Sequence, residues 1–184
     1  MRQNKLLSKY CLAALCTVLF SCASGPANVL SFPGQAARTK TIQDLIPLEE
    51  YKTLSIVDFQ PPARGAVPDG VLRNLSQCLS FYCDREGVMP VEQMARRDVE
   101  KAPGKLVLSG RIVRAAIPEF PPRIGDRTIL VVLAQFTSAE TGALLGEIEV
   151  TAEGYLDKYP YDFQSETREA AKAIIAYMKR FREN

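Results

Sequence analysis

A thiol at position 22 is the group in this chain best placed for covalent chemistry. Cys22 closes the tetrapeptide Leu19-Phe20-Ser21-Cys22. An aliphatic residue stands three before a cut site, a small residue stands at it, and a sulfur follows to carry a diacylglyceryl group. Arg2, Lys5 and Lys9 precede it without any acid, and an apolar run extends from Cys11 to Phe20. Basic residues, a short apolar core and small residues at its end make a secretory signal. A membrane-crossing helix needs about 20 apolar residues. This run stops at Ser24-Gly25-Pro26, so no permanent transmembrane anchor is expected. Cleavage before Cys22 and acylation of its sulfur are expected instead. A competing cut after Ala23, in Ser21-Cys22-Ala23, would release a soluble protein. Two or more acyl chains hold a protein stably where one holds it only marginally.

The remaining reactive residues define less. Cys11 and Cys16 leave with the signal, which leaves Cys78 and Cys83 in an oxidising compartment. They are five apart, so on one helix their side chains diverge by about 140°. The expectation is that Cys78 packs in the core and Cys83 sits at the helix end, with a disulfide as the alternative. The chain has no His. That excludes Ser-His-Asp and Cys-His nucleophile pairs, HExxH zinc sites and an imidazole base. Asp58, Asp84, Glu86, Glu92 and Asp98 lie near strand ends, where paired carboxylates could do acid–base work if buried together. Their spacing does not demand it. No catalytic residue, cofactor site or metal site is expected.

Two segments could hold a partner. Ala116 to Ile124 contains Pro118, Pro121 and Pro122; proline pre-orders a loop and lowers the entropy lost on docking. Phe120 and Ile124 are its candidate anchors. Tyr155 to Tyr161 carries Tyr155, Tyr159 and Tyr161, a residue type enriched at interfaces. A rigid loop packed on its own domain and a strand-to-helix connection are the plain readings of the two segments. Of the chain's 23 basic residues, Arg2, Lys5 and Lys9 leave with the signal, so 20 remain against 21 acids and the net charge becomes −1. Such a balance gives no electrostatic footprint for nucleic acid.

The elements behind these residues read as one α+β domain. Residues 1–21 are the signal peptide, 22–50 a lipidated tether and linker, and 51–184 the domain. Ile42, Leu45, Ile46 and Leu48 suggest that the end of the linker lies against the domain. Thr53 to Phe59 alternates as a first strand. A helix follows from Pro68 to Tyr82, with Val71, Leu75, Cys78, Leu79 and Tyr82 on one face. Gly87 to Val91 is a short strand, and Glu92 to Val99 a polar, helix-like piece. Lys105 to Ile117, Arg127 to Thr137 and Ala143 to Glu153 are strands. Ile129 to Ala134 is apolar on both faces, as in a strand covered on both sides. Ser138 to Gly142 is a hairpin turn. Phe163 to Arg182 is a last helix with Ala170, Ala171, Ile174, Met178 and Phe181 on one face. The expected order is β-α-β-β-β-β-α: a mixed or antiparallel sheet of about five strands with two main helices packed on it.

Three local phrases behind the lipidation signal carry a resemblance: Ser-Ile-Val-Asp-Phe at 55–59, Leu-Val-Leu-Ser-Gly-Arg-Ile at 106–112 and Glu-Thr-Gly-Ala-Leu-Leu at 140–145. With the element order, residues 50–182 resemble a loose group of bacterial envelope lipoproteins. The group includes uncharacterised lipoprotein families, the periplasmic part of the curli-secretion-channel lipoprotein and the lipoproteins that activate penicillin-binding proteins. The resemblance implies a small α/β module for oligomerisation or protein docking. Its partners would be the membrane, through the lipid, and another envelope protein or a second copy. Ala23, rather than Asp, after the lipidated Cys implies the outer membrane, facing the periplasm. Residues 117–127 are too short for a channel's membrane hairpin, which needs two strands of about 9–11 residues each. The alternative function is binding of a small ligand or peptidoglycan.

Overall fold

In the computed structural model, the residues described are 36–182 except 46–47, 64–66, 69, 96–98, 118–120 and 158–160. Cys22, Phe120 and Tyr159 lie outside them. Six strands form one sheet in the order β1-β6-β5-β4-β2-β3. In the chain they are β1 (Ala36–Gln43), β2 (Thr53–Val57), β3 (Val91–Met94), β4 (Lys105–Ala116), β5 (Arg127–Ser138) and β6 (Leu144–Tyr155). Helix α1 (Val71–Arg85) joins β2 to β3, and α2 (Gln164–Arg180) follows β6. β2 runs parallel to β3 and β4, and every other pairing is antiparallel. The expected mixed sheet with two helices is what forms.

Burial alternates along β5 and β6. On β5, Thr128, Leu130, Val132, Ala134, Phe136 and Ser138 are buried, while the residues between them are half-buried or exposed. β6 repeats the pattern from Leu145. A period of two places alternate side chains on opposite faces. Both helices lie on the first of these faces, α1 against β2 and β3, α2 against β1, β5 and β6, and each against the other. Leu54, Ile56, Leu106, Leu108, Ile112, Leu130, Ile148 and Val150 meet Leu75, Leu79, Ile174 and Met178 there in one core. Each fully buried side chain of this kind contributes roughly 1.5–3 kcal/mol relative to exposure. Gly110 makes room inside that core: a Cβ there would press on Phe59 Cε1 at 2.7 Å and on the Leu133 carbonyl.

Four expectations from the sequence change. Ala36–Gln43, within the expected tether, is the edge strand β1, paired antiparallel to β6. It carries no apolar alternation and is exposed almost throughout, because its order comes from the backbone of β6 and not from burial. Arg38 and Lys40 on such an edge discourage further strand addition. The chain beyond it does lie on the domain: Leu45 and Leu48 are buried, and Ile42 is exposed. Leu45 N donates to Tyr177 Oη at 3.1 Å and Leu48 N to the Phe181 carbonyl at 2.9 Å.

The third strand falls at Val91–Met94, not at 87–91, so part of the expected helix-like piece is strand. Parallel pairing with β2 decides this, Leu54 lying opposite Val91. The first helix runs three residues later than expected, from Val71 to Arg85. That shift exchanges the roles of the cysteines: Cys83 is fully buried and Cys78 half-buried, and both are free thiols. Finally, among the described residues β5 has a helix on one face only, where cover on both sides was expected. Among the described residues, that second face of the sheet carries no helix.

Candidate docking face

The pairing registers assemble the second face row by row. One row runs Lys40, Glu149, Leu133, Arg111 across β1, β6, β5 and β4. The next runs Arg38, Thr151, Val131, Arg114, and the third Ala36, Glu153, Ile129, Ala116. A fourth carries Glu147, Gln135 and Ser109. A register shift between Ile112 and Arg114 leaves Val113 unpaired and turns Arg114 to the same face as Arg111. Such a bulge re-aims a side chain.

The result is a striped surface. β5 supplies an apolar row, Ile129, Val131 and Leu133, each only half-buried. β4 flanks it with the exposed Arg111 and Arg114. β6 flanks it on the other side with Glu147, Glu149 and Glu153. Gln135 Nε2 donates to Glu147 Oε1 at 2.9 Å, and Arg127 pairs with Glu153. Among the described residues, Arg111, Arg114 and Glu149 have no ion-pair partner. Nearer β2 the face is closed, because Val99 packs on Val57, Val107 and Ala139. Ser55 is buried beside them on β2 with no hydrogen-bond partner for its Oγ among the described residues.

The two segments expected to dock partners separate. Ile124 is 61% exposed and Tyr155 is 37% exposed. Tyr161 is buried and is no surface anchor. Its hydroxyl donates to Glu166 Oε1 at 2.5 Å and lies 3.2 Å from Thr128 Oγ1. Thr128 Oγ1 also donates to Glu166 Oε1, and Ser165 Oγ donates to Oε2 at 2.9 Å. Glu166 and Thr128 are fully buried. Burial pushes the Tyr161 hydroxyl far above its usual range, and the Glu166 carboxylate it faces adds to that. Two buried donors, Thr128 and Tyr161, and the half-buried Ser165 share this carboxylate, which fastens the start of α2 to the start of β5. Backbone strain accompanies the junction: Phe163, an aromatic residue, sits at φ 53°.

No local pattern singles out Glu166. The available signal was Gly154 inside a strand: a Cβ there would lie against the Glu166 carboxyl, with Cδ at 2.8 Å, and 3.0 Å from Thr128 Oγ1. The scattered carboxylates do not form a site. Glu92 pairs with Lys105 at 3.0 Å and Glu86 with Lys179 at 3.4 Å, while Asp58 and Asp84 are exposed. Asp98 lies outside the described residues. Among the described residues, no group of three His, Cys, Asp or Glu could hold a metal, and no helix is long and apolar enough to cross a membrane.

On the helical side, a cleft of about 340 Å³ lies between α1 and α2, lined by Asn74, Cys78, Phe81, Tyr82, Thr167 and Arg168 among others. Phe81 is 58% exposed and meets Tyr82 edge to face at 5.1 Å. Burial raises the Cys78 thiol above its ordinary value, and Arg168 offsets part of the rise. Burial raises Cys83 as well, partly offset by its bond to the Met89 carbonyl at 3.4 Å.

No protein-family model and no curated protein matches the chain. Among solved structures, the PelC dodecamer from Paraburkholderia phytofirmans shares the fold at TM-score 0.59 and 9% identity, over 78% of this chain and 97% of that one. The hypothetical protein CT253 from Chlamydia trachomatis shares it at TM-score 0.52 and 10% identity, over 71% and 97%. A looser match, at TM-score 0.44 and 11% identity over 68% and 98%, is lipoprotein GNA1162 from Neisseria meningitidis. At these identities the likeness is one of fold.

Proposed function

We propose that this chain is a lipid-anchored protein of the bacterial envelope, acylated at Cys22 and facing the periplasm from the outer membrane. Its α+β domain docks onto copies of itself or another envelope protein and catalyses no reaction. The observation that carries this reading is the striped sheet face. A sheet with both described helices on one side leaves an apolar row on the other, bordered by Arg111, Arg114 and Glu149, which have no ion-pair partner among the described residues. Small domains of this fold do assemble, since the solved PelC is a dodecamer. The module shared by the curli-channel and penicillin-binding-protein-activator lipoproteins, which the sequence phrases resemble, fits the same role.

Two measurements test it. Replacing Cys22→Ala should release the protein from membranes; a variant that stays bound and is processed normally removes the lipid anchor. The full chain, extracted in mild detergent, should run above monomer mass by light scattering or yield one crosslinked envelope partner. A monomer that captures nothing removes docking. A second reading draws on the α1–α2 cleft. Two aromatic rings beside an amide and Arg168 suit a small ligand carrying a sugar ring or a carboxylate, peptidoglycan fragments included. A ligand that binds the native state raises the melting temperature, so a muropeptide that does so would favour this second reading.

A further inference from the structure

We propose that the uncovered sheet face is a two-fold interface with a second copy of this chain, its dyad lying along β5. The proposal rests on the self-assembly reading above and names the surface that assembly uses. Two sheets can pack face to face with their strands nearly aligned, about 10 Å apart. A two-fold axis in the interface plane can then run along the strands or across them. Run across, it lays β4 on β4 and β6 on β6, so that Arg111 and Arg114 face their own copies and Glu149 faces its own. Run along β5, it lays β4 of one copy on β6 of the other and keeps every residue in its row.

In the second arrangement Arg111 of each copy meets Glu149 of the other, since both share the row of Leu133. Arg114 meets the Thr151 row, between Glu149 and Glu153. Val131 and Leu133 lie on the dyad and face themselves, closing the apolar stripe. Charge complementarity therefore selects the axis as well as the face, because like-charge juxtaposition opposes the alternative. Val99 packs over Val57 on β2 and Val107 on β4, short of the rows from Ser109 onward. Three to four strands about 4.8 Å apart and four rows about 6.8 Å apart make a patch of roughly 400 Å² in projection. That is at the small end for specific interfaces, so the dimer is concentration-dependent. A lipid tether that confines both copies to one membrane favours it, as any linkage raises effective concentration.

The test uses the full chain in its membrane, in a Cys78→Ser background, with a short bismaleimide. Val131→Cys should give a homodimer band, and Gln77→Cys, on the exposed side of α1, should not. Arg111→Glu and Glu149→Arg should each reduce the Val131→Cys band about tenfold. Combined in one chain they should restore it to within about threefold, because the swapped pair is again opposite in sign. Circular dichroism melts of each variant confirm folding. A Val131→Cys variant that does not crosslink, while the parent chain still runs as an assembly, overturns this interface and leaves self-assembly standing. A swapped pair that fails to restore the band overturns the axis. A crosslink to a different protein replaces the second copy with that partner. A parent chain that is monomeric throughout removes both the interface and the self-assembly it rests on.

Discussion

Gly154→Ala should be costly although it adds one methyl group to a strand. In most strands, exchanging Gly for Ala stabilises by about 0.4–1 kcal/mol through the unfolded chain. Here the new Cβ would stand against the Glu166 carboxyl and 3.0 Å from Thr128 Oγ1. The carboxylate cannot swing aside freely, since Thr128, Tyr161 and Ser165 all donate to it inside the fold. Overpacking of this kind costs about 1–3 kcal/mol, and a disturbed hydrogen bond to a charged group about 1.5–3 kcal/mol. With the entropic gain deducted, the net loss should be about 3 kcal/mol. A domain of this size then melts about 6–12 °C lower. Urea unfolding followed by far-UV circular dichroism reads the change. The companion is Glu166→Ala, itself destabilising by about 2–3 kcal/mol because the buried Thr128 and Tyr161 hydroxyls lose their shared acceptor. In the double variant the new methyl has nothing to strike, so the combined loss should fall short of the sum by at least about 1 kcal/mol. A loss below about 0.5 kcal/mol for Gly154→Ala, or strictly additive losses, would refute the reasoning.

Three further outcomes follow from the burial pattern. Cys83, Cys78 and Tyr161 all have their ionisation pushed upward in the folded state. The unfolded chain therefore releases these protons first, and stability present below pH 9 should fall as pH rises from about 9; Tyr161→Phe should flatten the part above about 10, and a urea midpoint that holds or rises between pH 8 and 10.5 contradicts this. Under native conditions a maleimide should label Cys78 within minutes and Cys83 only on unfolding, as peptide mapping would show; equal labelling of both places Cys83 wrongly. Ser55→Ala removes a buried hydroxyl that lacks a partner among the described residues, so thermal stability should stay level or rise by up to about 1 kcal/mol. A loss above 1 kcal/mol would reveal a partner for that hydroxyl.

The chain's local patterns carried most of the architecture. Apolar, β-rich runs over 105–116 and 127–138 and alternation over 144–155 placed three long strands. The apolar stripe of Ala170, Ala171, Ile174 and Met178 likewise placed α2 within two residues. The proposed lipidation signal at Cys22 rests on the residues alone. Other features had no local signature. β1 carries no apolar alternation and is a strand because β6 offers it an edge. β3 was displaced because its register follows β2, 37 residues earlier at the Leu54–Val91 pair. The same holds for the functional surfaces. Tyr155 and Tyr161 look equivalent in sequence, yet one ends an exposed strand and the other is buried on Glu166. Arg111, Leu133 and Glu149 are far apart in the chain and share one row only after three strands pair. Strand-forming and helix-forming stretches, and the proposal that Cys22 carries a lipid, could be read along the chain, because those depend on neighbours in sequence. Tertiary structure decided which strand edges pair, which face stays open and which charges line it, because those depend on contacts between segments that no local pattern encodes.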